Sequence, residues 1–142
     1  MQVFIVGTPM ETVVAMTGDT HRYNKQVVEI GQIIDALNGK KAWSRHPAVL
    51  QYRGHEEYLR CYLQCFKWYT RNNTYWVVLF SRQAQLLRPE WHCEEYYINM
   101  KRRLYTKNPE HYKQWAHLGK SNQNFYYIDG EWRIYENGKR VK

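Results

Sequence analysis

No stretch of this 142-residue chain approaches the roughly 20 apolar residues of a membrane span, and no basic segment followed by an apolar one opens it. A soluble, unsecreted protein is expected. Cysteine is scarce: Cys61, Cys65 and Cys93 cannot form a fully paired framework, and the i,i+4 spacing of Cys61 and Cys65 on one helix is poorly placed for a disulfide. With no C-x-x-C spacing, a zinc site using these thiols and His92 is not expected, and reduced thiols are the reading. Ser-His-Asp, P-loop, G-x-G-x-x-G and H-E-x-x-H signatures are all missing, as are internal repeats and low-complexity linkers.

Acidic residues are also few. The 13 Asp and Glu are outnumbered by 21 Lys and Arg, giving a net charge of +8, the footprint of a polyanion binder, with nucleic acid first among candidates. Aromatics reach 16%, including 13 Tyr and 6 Trp. Most belong in a core; in a basic protein some are available to stack on bases or wedge into a duplex.

The length fits one domain with a real core. Residues 2–6, Gln-Val-Phe-Ile-Val, form a short apolar segment that anchors the N-terminus, and residues 10–17 suit a short helical turn. A long helix follows over 20–37, with Thr20 or Asp19 as N-cap and Asn38-Gly39 as C-cap. Lys40 to Arg45 is a basic connector carrying Trp43. Pro47 opens a second helix with the apolar stripe Leu59, Tyr62, Leu63, Phe66 and Tyr69, ending near Arg71. Tyr75–Phe80 reads equally as buried strand or helix. A third helix spans roughly 90–107. The tail, with Asp129-Gly130 and Asn137-Gly138 as type I′ turn dipeptides, reads as a small β-meander. The expected fold is mainly α: three principal helices in a helical domain over 1–120, with the meander, 121–142, packed on the same body.

The first long helix carries the strongest candidate chemistry. Val27, Ile30, Ile34 and Leu37 mark its buried face, while Arg22, Lys25, Gln26, Glu29 and Gln32 gather opposite, within roughly 60° of Glu29. Helix statistics alone favour a solvated face with ordinary pairs such as Lys25–Glu29.

Four segments shift that balance. His46-Pro47-Ala-Val-Leu-Gln-Tyr-Arg-Gly54-His55 resembles the opening of the second helix in the pyrimidine-dimer DNA glycosylases, the endonuclease V-like family of phage and bacteria. Arg22-Tyr-Asn-Lys25-Gln26-Val-Val-Glu29 is similar to that family's R-x-x-K-Q-x-x-E, whose Glu is catalytic. Arg103-Leu104-Tyr-Thr-Lys107 resembles an R-L-x-x-K stretch of its third helix that contacts DNA, and Pro109-Glu-His-Tyr112-Lys113 resembles its P-x-x-Y-K. Together they cover about residues 1–115; the tail from about 121 has no counterpart.

The resemblance implies a DNA glycosylase with apurinic/apyrimidinic lyase activity on damaged or modified pyrimidines, with pyrimidine dimers favoured. The nucleophile would be the N-terminal α-amine, which attacks C1′ of a flipped nucleotide and forms a Schiff base. Such amines have pKa values of about 7.7–8, so a useful fraction is neutral near neutrality without burial. Met1 is the expected bearer, with Gln2 as the alternative if Met1 is trimmed, and Glu29 the assisting carboxylate. Arg22, Lys25 and Gln26 would hold phosphates, extended by Arg103 and Lys107. Arg53 reads as DNA-facing; His55, after Gly54, reads as an orienting or packing group or as a further DNA contact. His46 reads as a cap. Two departures stand out: Gln2 is bulky where the family exposes a small residue, and Val28 replaces an Arg before the Glu. Expected partners and setting are double-stranded DNA, no membrane, no metal or cofactor, a monomer, in the cytoplasm of a bacterial or phage-infected cell. The competing reading is a basic DNA-binding protein on the same scaffold without the chemistry.

Overall fold

The computed structural model describes all residues, 1–142, as helices and one small sheet. Contacts group the chain into two compact units, Met1–Pro89 and Glu90–Lys142.

The first unit begins with a buried apolar segment, Val3 to Val6, and continues with helices α1 (Pro9–Met16), α2 (Thr20–Leu37), α3 (Pro47–Gln51), α4 (Glu56–Thr70) and α5 (Thr74–Leu86). Helix α1 starts with a capping box, Thr8 and Glu11 satisfying each other's backbone N–H groups, with Pro9 in its first turn. α4 and α5 form a helical hairpin through a tight turn in which Asn72 is left-handed, φ 57°. On α4, Tyr58, Tyr62 and Phe66 recur every fourth residue and pack ring to ring in series, tilted and then edge-on, with centroids 6.0 Å and 5.2 Å apart; Tyr52 and Tyr23 extend the row at either end.

The sequence placed a single helix after Pro47. The structure breaks it in two at Gly54, whose φ of +84° no L side chain adopts cheaply. Tyr75–Phe80, open between strand and helix, is helical because it packs along α4 as part of α5. Asp19 takes the N-cap position of α2, but its side chain makes no capping bond.

The burial pattern of α2 also differs from expectation. Ile30, Ile33, Ile34 and Ala36 are buried, and so is Gln26, which is 2% exposed. The N-terminal segment covers the part of α2's polar side that carries Gln26 and Glu29 and leaves Lys25 exposed. Gln26 therefore points inward, and its assignment as a phosphate contact is corrected.

The second unit holds α6 (Glu94–Lys107), a 3-10 turn over Lys113–Leu118, and a meander of β1 (Gln123–Ile128), β2 (Glu131–Glu136) and β3 (Lys139–Arg140) in order β1-β2-β3. Ile128 pairs with Glu131 and Glu136 with Lys139. Asp129-Gly130 and Asn137-Gly138 are left-handed at both residues, as type I′ turns require. Trp91, Tyr96, Tyr127 and Trp132 pack ring against ring. α6 starts at Glu94 rather than near residue 90. The mainly α class with a small C-terminal meander stands, with more helices than the three principal ones expected.

Candidate active site

The segment 2–6 is extended but belongs to no sheet, so its buried backbone groups need other partners. Side chains provide them. The Phe4 N–H donates to Gln26 Oε1 at 3.0 Å, and the Phe4 carbonyl accepts from Gln26 Nε2 at 2.5 Å and from the Tyr62 hydroxyl. Gln26 Nε2 also reaches the Tyr62 oxygen at 2.9 Å, and Thr12 Oγ1 accepts from the Val6 N–H at 3.0 Å. One α2 amide thus makes both hydrogen bonds that a strand neighbour would offer Phe4.

One turn along α2 from Gln26 lies Glu29. Its Oε2 accepts from the Gln2 N–H at 2.5 Å, and its Oε1 lies 3.8 Å from Lys25 Nζ. The carboxylate side chain is only 12% exposed while Lys25 is half exposed. Gln26 and Glu29, three residues apart on one helix, grip Phe4 and Gln2, two residues apart along the extended chain. Met1, half-buried, follows directly from the nitrogen that Glu29 holds.

His46 completes the cluster. Its Nδ1 accepts the Ala48 N–H at 3.1 Å, capping α3 as the sequence suggests, and this fixes the neutral ring's proton on Nε2. Burial, then the positive chain end, push its pKa below the ordinary value, with Glu29 opposing. The imidazole therefore senses both the amine and the carboxylate. A His before a helix-opening Pro signals a cap in sequence; nothing in its spacing from Glu29 signals the second role. Tyr62 was likewise legible only as a member of the apolar stripe.

Arg22 is half-buried near the start of α2, in the same unit as Lys25 and Glu29. Arg53 and His55 line a separate open cavity of about 620 Å³ with Leu37, Ser44 and Tyr58; Met1 and Glu29 do not line it. Arg103 and Lys107 belong to the second unit. There the Arg103 guanidinium donates to Asn124 Oδ1, and Lys107 is exposed in the last turn of α6, where a cation complements the helix dipole. No three His, Cys, Asp or Glu side chains gather closely enough to hold a metal ion, and no helix is long and apolar enough to cross a membrane.

These features define a class: a basic helical protein that aims a carboxylate at its own chain start. The family profile described as pyrimidine dimer DNA glycosylase matches residues 1–71, half of the 142, and the chain belongs to that family. Membership implies glycosylase activity on pyrimidine dimers, with DNA as substrate. The match ends at Arg71, the C-cap of α4, so it includes Glu29 and its whole setting but neither Arg103 nor Lys107. No curated protein and no solved structure gives a significant match.

Proposed function

We propose that the chain cleaves the glycosidic bond of a pyrimidine-dimer nucleotide and then the DNA strand, using its N-terminal amine as nucleophile and Glu29 as the assisting group. The observation that carries this reading is the 2.5 Å contact between the Glu29 carboxylate and the Gln2 N–H. It holds the chain end against an anionic group in a half-buried setting, where charge interactions exceed those in water.

The neutral amine attacks C1′, and the glycosidic bond breaks with its electron pair leaving on the base, which takes a proton. The carboxylate stabilises the cationic sugar during that departure. Loss of a proton from nitrogen and opening of the sugar ring give a protonated imine. Glu29 then accepts the C2′ proton, the electrons form a C2′–C3′ double bond, and the 3′-phosphate leaves with the C3′–O pair. Because C1′ is hidden in an intact duplex, a nucleotide must be extruded.

The nitrogen that Glu29 holds belongs to residue 2. The Met1 amine lies one residue outward; on a chain trimmed of Met1, the held nitrogen would itself be the nucleophile. Both forms keep the carboxylate at the reacting end. Arg22 and Lys25 precede Glu29 on the same side of α2 and would hold phosphates beside the lesion, and Arg53, His55, Arg103 and Lys107 would make further DNA contacts. Gln26 positions the chain end and does not touch DNA.

Glu29→Gln tests this. The amide still accepts the Gln2 N–H, so the fold is kept, but it cannot take a proton. Strand cleavage of a dimer-containing duplex should fall by about 10²–10⁴-fold, with DNA affinity nearly unchanged. A variant that cleaves like the parent contradicts the assignment. Tight binding by a parent that never cleaves identifies a DNA-binding protein without the chemistry.

A further inference from the structure

Trp43 sits where packing asks for no tryptophan. It is 51% exposed and its backbone is left-handed, φ 66°, a conformation that bulky side chains rarely adopt. The loop holds it from both sides: the Ser44 N–H donates to the Lys41 carbonyl at 3.2 Å, and the His46 N–H donates to the Trp43 carbonyl at 2.9 Å. Glycine or asparagine is what such a turn position favours.

Its surroundings give the anomaly a direction. The indole meets the His46 ring edge-on, centroids 6.0 Å apart. His46, the ring neighbour of Trp43, lies within electrostatic reach of the chain-end amine and Glu29. Lys41 and Arg45 flank it, both exposed and neither paired with an acid; Lys40 is held by Asp35 at 3.4 Å. The other exposed indoles pack on neighbouring rings instead: Trp76 lies against Trp68 and Phe80, and Trp132 against Trp91 and Tyr127.

We propose that Trp43 is the wedge that enters the duplex at the lesion, filling the stacking gap left by the extruded nucleotide while Lys41 and Arg45 hold the neighbouring phosphates. The inference rests on the amine-and-Glu29 reading of the site. Extrusion leaves two bases without a stacking neighbour, and a flat apolar ring replaces that contact whatever the sequence. A turn closed by its own backbone hydrogen bonds presents the ring with less left to order on binding. Duplex DNA is the occupant that the flanking cations favour.

The test compares Trp43→Asn, which suits the left-handed backbone but cannot stack, with Trp43→Phe, which can. Two substrates are needed: a duplex with one pyrimidine dimer beside a 2-aminopurine, and a single-stranded oligonucleotide with a preformed abasic site, where nothing has to be extruded. Trp43→Asn should lose about tenfold or more in dimer processing, together with the 2-aminopurine fluorescence rise on binding. It should keep borohydride trapping on the single strand within about twofold of the parent, and Trp43→Phe should restore most dimer processing. Unchanged dimer processing by Trp43→Asn overturns the wedge. So does a parallel loss of single-strand trapping, which would make Trp43 a support of the site. A parent protein that traps neither substrate fails the underlying reading instead, which separates the two failures.

Discussion

The two units use polar side chains for opposite ends. In Met1–Pro89, Gln26, Tyr62, Thr12 and Glu29 reach across to an extended segment that has no strand partner, and their hydrogen bonds fix where the chain begins. In Glu90–Lys142, basic side chains are tied to their own scaffold: Arg103, which resembled a DNA contact, to Asn124, and its neighbour Arg102 to the Leu118 carbonyl at 2.8 Å. The meander's backbone is satisfied by its own ladder and two I′ turns. The first unit spends buried polarity on placing an end, the second on closing a fold. The family match falls on the first.

The sharpest way to break this contrast is to remove the Gln26 amide. Gln26→Ala removes the side-chain acceptor of the buried Phe4 N–H and a donor to the Phe4 carbonyl, and should cost about 3 kcal/mol by denaturant unfolding. Cleavage should fall beyond what the lost stability explains, because the end is no longer held. A cost near zero would mean that water replaces the amide and that the clamp is incidental.

A smaller effect separates the roles of His46. Its depressed pKa means that the unfolded chain binds this proton first as pH falls. Its contribution to stability is therefore complete above about pH 6.5 and declines below that value. His46→Asn keeps a capping side chain without the titration. From about pH 7 to about pH 5 the variant should lose less stability than the parent, measured by thermal unfolding at each pH. Parallel pH profiles would remove His46 from the electrostatics of the chain end.

The smallest effect concerns the second unit. Lys107→Ala should weaken binding uniformly across DNA sequences and lower the slope of log affinity against log salt by about 1, leaving the cleavage rate of bound DNA unchanged. A loss of cleavage from bound DNA would show that the second unit shares in the chemistry.

Much of this was legible before the structure. Glu29 stood out as one carboxylate among cations, and the meander announced itself through Asp129-Gly130 and Asn137-Gly138, where local chemistry decides the turn. Residues 2–6 read correctly as anchored. What hid the clamp is that helical periodicity reports angle and not neighbour: Gln26 lies on the polar side of α2, and that side is covered by a segment from elsewhere in the chain. The break at Gly54 escaped for a similar reason, since the apolar stripe of α4 masks a backbone turn that precedes it. His46 was legible as a cap but not as a group within electrostatic reach of the amine and Glu29, because that depends on tertiary packing.

The central claim is that the chain's first amine is the reacting group, and borohydride trapping tests it most directly. Protein with its native N-terminus is mixed with a dimer-containing duplex and, separately, with an abasic-site duplex, reduced, and the adduct mapped by peptide mass spectrometry. The account predicts a covalent adduct with both DNAs, on the amine of Met1, or of Gln2 if Met1 has been removed. An adduct on a lysine, or none on either DNA despite tight binding, would contradict it.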